Sequence, residues 1–104
     1  NGQWKESKTE KYYNITDSST GNVIANAPCC TQEEVNSAID AANNAFPAWS
    51  ATPVMRRIQV LYKFRELITN HLEELTKLLC RENGKCWGES EGDILKAKEV
   101  VEYA

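Results

Sequence analysis

The stretch TQEEVNSAIDAANNAFP, Thr31 to Pro47, is where this chain changes character. Ahead of it the apolar residues are sparse and sit between turn-forming residues. From Val35 onward they recur at helical spacing: Val35, Ala38, Ile39, Ala42, Ala45 and Phe46. Thr31-Gln32-Glu33-Glu34 reads as a capping box. The Thr31 hydroxyl can accept from the Glu34 amide while the Glu34 carboxylate reaches back to the Thr31 amide. A helix is therefore expected over 31–46. Pro47 should end it, because the residue before a proline is pushed out of the α region.

Upstream, WKES, KYYNIT and NVIANA read as short strands, with turn signals at Ser7-Lys8-Thr9 and Ser18-Ser19-Thr20-Gly21-Asn22. This first segment, 1–30, is too polar to hold a core alone and should lie against something else. Downstream, Thr52-Pro53 opens a second helix with proline at its first position. Val54, Ile58, Leu61, Arg65, Ile68, Leu72, Leu75 and Leu79 make one stripe, interrupted only by Arg65 and broadened by Phe64 and Leu67. A helix over 53–83 is expected, with a second cap at Asn70-His71-Leu72-Glu73 that offers a break or kink there, and Gly84 as its left-handed terminator. A third helix, 88–104, carries Ile94, Ala97, Val101 and Ala104 on one face. The fold class is thus α+β and mostly helical, an amino-terminal β-hairpin followed by three amphipathic helices. No stop signal follows KEVVEYA, so the pattern reads as an incomplete domain.

At 104 residues the chain is long enough for one small domain, with 41% hydrophobic and 26% charged residues. A net charge of −3 argues against nucleic-acid binding, which shows as an excess of lysine and arginine. No apolar run approaches the length of a membrane span, and no basic-then-apolar leader opens the sequence. Neither a membrane nor a nucleic acid is expected as a partner.

The stretch LLCRENGKCWGESEGD, residues 78 to 93, invites a chemical reading. A phosphate loop fails there, because Gly84-Lys85 is followed by Cys86 and Leu79 stands where a glycine is required. The Rossmann G-x-G-x-x-G pattern is absent from the whole chain. Lys85 could favour a Cys86 thiolate. Catalysis would also need a base and an oxyanion pocket, and His71 does not share a helical face with Cys80. Glu89, Glu91 and Asp93 read as the solvated start of a helix, favoured by its dipole. Trp4, Trp49 and Trp87 read as packing anchors. The spacing of Cys29, Cys30, Cys80 and Cys86 suits neither a disulfide framework nor a zinc site, despite the sequon Asn14-Ile15-Thr16. Free intracellular thiols are expected. No catalytic, cofactor-binding or metal-ligating residue is expected in this chain.

The ordered series of segments resembles the amino-terminal region of the aldehyde dehydrogenase superfamily. The general features are the Thr20-Gly21 turn, the A-x-x-A-F helix ending at Phe46, Arg56-Arg57 and Glu82-Asn83-Gly84-Lys85. Narrower ones are FPAWS, TPVMRR and Glu91-Gly92-Asp93 followed by Val100-Val101-Glu102-Tyr103-Ala104. These are most similar to the CoA-acylating methylmalonate-semialdehyde dehydrogenases. Two stretches depart from that pattern. The turn usually reads Asn-Pro, where this chain has Asp17-Ser18, and a hydrophobic or Thr-Leu pair usually follows Gly-Lys, where it has Cys86-Trp87.

The resemblance implies a partial piece of the α/β dehydrogenase fold, inactive by itself. In the whole enzyme it implies NAD and CoA as cofactors, attack of a cysteine thiolate on the aldehyde, hydride transfer to NAD, and passage of the acyl group to CoA with loss of carbon dioxide. Propionyl-CoA or acetyl-CoA would be the product. None of the four cysteines matches the catalytic position, and no cofactor is expected on this chain. The implied partners are the remainder of the dehydrogenase chain and further copies in a homo-oligomer. The implied location is bacterial cytoplasm or mitochondrial matrix. A free-standing helical protein-interaction module is the alternative from another functional class.

Overall fold

The structure, a computed structural model, describes residues 2–104. Two strands, β1 (Tyr12–Thr16) and β2 (Val23–Pro28), precede four helices: α1 (Gln32–Ala51), α2 (Val54–Asn70), α3 (Leu72–Asn83) and α4 (Trp87–Tyr103). The chain divides into two compact units. One takes the chain up to Ile15 together with Val23–Thr52; the other takes Thr16–Asn22 and Pro53–Ala104.

In the first unit β1 and β2 pair as a two-stranded sheet, and the Cys29 amide extends the pairing by donating to Lys11 O at 2.9 Å. The expected strand at WKES does not form: residues 4–7 carry no regular structure. A side chain holds the end of this stretch instead. Ser7 Oγ, the Lys8 amide and the Thr31 amide each donate to the Glu34 carboxylate at 2.8 Å. The capping box forms, with Thr31 Oγ1 accepting from the Glu34 amide at 3.3 Å. One carboxylate thereby both caps α1 and pins the irregular segment that precedes the hairpin.

Pro47 does not end α1; the helix runs through it to Ala51. Proline removes one backbone donor and crowds the preceding turn. Here the following turn is supported by hydroxyls. Ser50 Oγ donates to Pro47 O at 3.1 Å, Thr52 Oγ1 to Ala48 O at 2.9 Å, and the Thr52 amide to Trp49 O at 3.1 Å. The Thr52 hydroxyl thus closes α1 rather than opening α2, and Pro53 itself occupies the N-cap of α2 with no side-chain cap. No residue of α1 is buried, although its apolar stripe is the one expected.

In the second unit the helix expected over 53–83 breaks where Asn70-His71-Leu72-Glu73 offered a second cap, so the described residues hold four helices rather than three. His71 stands at the break, serving as C-cap of α2 and N-cap of α3, with no side-chain cap bond at either. Gly84 closes α3 in the left-handed region at φ 76°, its amide donating to Cys80 O at 2.9 Å. After Lys85 and Cys86 the chain returns as α4, whose first bond runs from the Ser90 amide to Cys86 O at 3.0 Å. Cys80 of α3 meets Ser90 at the start of α4, and Arg65 of α2 meets Glu102 at its end. Helix α4 therefore runs back along α3 and on to α2. Among the described residues the fully buried side chains lie here: Thr76 and Ser90, with Ile68 as the buried hydrophobic residue. Small residues at the α3–α4 contact let the helices approach closely.

Candidate functional site

The turn from Thr16 to Asn22 is tightly organised by Asp17. Its carboxylate accepts from the Ser19 and Thr20 amides at 2.9 and 3.1 Å, and its carbonyl accepts from the Gly21 amide at 2.8 Å. Gly21 supplies the positive φ of 74° that the turn requires. This turn sits on the end of α3. The Ser18 amide donates to Arg81 O at 3.0 Å, Ser18 Oγ donates to Glu82 O, and the Arg81 guanidinium lies 3.8 Å from the Asp17 carboxylate. Helix C-termini leave carbonyls without partners. Ser18 satisfies two of them at once.

The residues of the 78–93 stretch are placed as follows. Lys85 Nζ lies 2.5 Å from Asp93 Oδ2. That hydrogen bond, reinforced by the Asp93 charge, raises the Lys85 ammonium above its ordinary range. The cation is thus engaged across the connector, and Cys86 is an exposed N-cap without a side-chain cap bond. Cys80 Sγ donates to the buried Ser90 Oγ at 3.2 Å. His71 Nδ1 pairs with Glu74 at 2.9 Å on the exposed face of the break. All four cysteines are free. Among the described residues no group of three His, Cys, Asp or Glu is gathered as a metal site.

Sequence reasoning missed what the surface of α2 presents. Val60, Phe64 and Leu67, flanked by Gln59 and Lys63, line an open apolar groove. Phe64 and Leu67 were expected to broaden the packed stripe, and they point outward. The three tryptophans read as anchors are likewise exposed, Trp49 and Trp87 by about half and Trp4 completely. The signal was present in the width of the stripe: a helix apolar over so broad an arc needs contact on more than one side.

The described chain exposes 8624 Å², where even two separate compact halves of an 11.7 kDa chain would expose about 7,100 Å². Asp17, Ser18 and Glu34 are engaged in turns and caps, while large apolar side chains of α1 and α2 are exposed.

The sequence pattern of the aldehyde dehydrogenase family matches residues 4–104. This chain belongs to that family. Among its relatives, malonate-semialdehyde dehydrogenase 2 of Oceanobacillus iheyensis is 44% identical over 103 residues, which cover 99% of this chain and 21% of that one. The crystal structure of methylmalonate-semialdehyde dehydrogenase from Oceanimonas doudoroffii superimposes with a TM-score of 0.88 at 31% identity, covering 94% of this chain and 20% of that one. A NAD-dependent benzaldehyde dehydrogenase from Corynebacterium glutamicum gives 0.90 at 28% identity, over 96% of this chain and 22% of that one. The chain therefore spans about a fifth of the length of the dehydrogenases it matches. The hairpin and four helices are a part of the aldehyde dehydrogenase fold. No helix among the described residues is long and apolar enough to cross a membrane.

Proposed function

We propose that residues 1–104 form an outer packing segment of a NAD-dependent, CoA-acylating malonate- or methylmalonate-semialdehyde dehydrogenase, with the reacting groups outside this stretch. The reaction of the whole enzyme would convert semialdehyde, CoA and NAD to acetyl-CoA or propionyl-CoA, carbon dioxide and NADH. The observation that carries the reading is the 44% identity to a malonate-semialdehyde dehydrogenase across 99% of this chain. The uncovered apolar faces of α1 and α2 agree with it, because they suit a segment that packs on the rest of a larger chain and its oligomer. NAD as the cofactor rests on the resemblance to the acylating subfamily, since the solved structures similar to this chain include both NAD- and NADP-dependent enzymes.

The test is a paired assay. The native protein, with its own continuing polypeptide, should reduce NAD with malonate or methylmalonate semialdehyde only when CoA is present, and mass spectrometry should find the acyl-CoA. Residues 1–104 alone should give no NADH. Release of the free acid without CoA would overturn the acylating assignment. Turnover by the isolated segment would overturn the placement of the reacting groups. A stop codon directly after Ala104 would favour the interaction module instead.

A further inference from the structure

We propose that Asn83–Gly84 is a site of spontaneous deamidation, and that its rate is set by the Thr16–Asn22 turn seated on the end of α3. Asn83 is the exposed last residue of α3, and Gly84 follows it in the left-handed region at φ 76°. A glycine after asparagine leaves the backbone nitrogen unshielded, because no Cβ stands beside it. In the reaction the Gly84 nitrogen bonds to the Asn83 side-chain carbonyl carbon and the bond from that carbon to the amide nitrogen breaks. The proton from the Gly84 amide ends on the departing ammonia. Water then opens the cyclic imide and leaves aspartate or isoaspartate at position 83. Nothing is oxidised or reduced, and water is the only co-reactant.

The native geometry opposes this step. The Gly84 amide donates to Cys80 O at 2.9 Å, so its proton is engaged and its nitrogen is held in the helical turn. Attack requires that turn to open. Ser18 holds it shut from outside: its amide and hydroxyl occupy the carbonyls of Arg81 and Glu82, the two residues before Asn83. A Cβ on Gly84 would lie 3.2 Å from Ser18 Cβ, which shows how closely the turn covers this end. The reactive pair is therefore latched through Glu82 by a serine 64 positions before that residue in the chain. Modification would in turn weaken the latch, because a new carboxylate beside the helix C-terminus opposes the dipole.

The test follows the Leu78–Lys85 peptide, released by cleavage after lysine, in native protein incubated at mildly alkaline pH. Aspartate and isoaspartate products are separated from the parent by chromatography and mass. Unfolded protein should convert fastest and native protein far more slowly. Ser18→Ala, which loses the hydroxyl bond, should convert roughly two- to tenfold faster than native, as expected for one hydrogen bond. Ser18→Thr keeps both donors and should remain slow. Hydrogen exchange at the Gly84 amide of the unaltered protein provides a measure that needs no variant, and protection is expected. Equal rates in native and unfolded protein, an unprotected Gly84 amide, or no acceleration in a folded Ser18→Ala protein would each overturn the proposal.

Discussion

Glu34 shows how much one side chain can organise. Its carboxyl is held down to about 2 from an ordinary 4.5, first by the Lys8 amide, then by the Thr31 amide and the Ser7 hydroxyl. All three donors favour the charged form. A carboxyl depressed in the folded state adds stability that is fully present above the unfolded value of 4.5, and this is lost as pH falls toward 2. Glu34→Gln should therefore destabilise the protein at neutral pH, and the gap between variant and parent should close through that acid window. Denaturant midpoints measured at several pH values check this; a gap constant with pH would contradict it. The capping half of this arrangement was legible in T-x-x-E, because an N-cap is decided within four residues. The grip on Ser7 and Lys8 was not, because nothing local ties residue 7 to residue 34.

Among the elements, the contact of α3 with α4 is the most constrained. Thr76 and Ser90 are wholly buried, and Cys80 Sγ meets Ser90 Oγ at 3.2 Å. Ser90→Ala removes one weak bond and should cost less than about 1 kcal/mol. Ser90→Leu must force the helices apart and should cost about 1–3 kcal/mol or more. Equilibrium unfolding of the two variants separates them, and a tolerated leucine would show that the contact is loose. The same region explains the interruption in the apolar stripe of α2. A cation is accommodated in the stripe there because Arg65 Nε donates to Glu102, whose carboxyl is lowered chiefly by that hydrogen bond. Gly84 was readable as a terminator, since a glycine behind an apolar period has few other roles. Pro47 misled because proline opposes a helix only on average. Ser50 and Thr52 supply the following turn with hydroxyl donors, and those residues lie past the point where the pattern was judged to stop.

For the molecule as a whole, the decisive fact is how little apolar surface is covered. Among the described residues Ile68 is the buried hydrophobic one, while Phe46, Met55, Val60, Phe64 and Leu67 are among the large side chains left in solvent. Prepared on its own, the polypeptide of residues 1–104 should remain helical by far-ultraviolet dichroism, bind hydrophobic dyes and melt broadly. A sharp melt without dye binding would show that it is self-sufficient. The sequence pattern located the apolar stripes well, because spacing fixes which residues share a face. It could not say which stripes are covered, since that depends on the surface they meet.

The seat of Ser18 on Glu82 also has a consequence in time. A ribosome adds about 5–20 residues per second, so the 64 additions that lead from Ser18 to Glu82 take roughly 3–13 s. Through that interval the turn built on Asp17 has already been made while its docking site does not yet exist. Nascent chains stalled before and after Glu82 would thus present the same turn in two states, first open to proteases and later shielded.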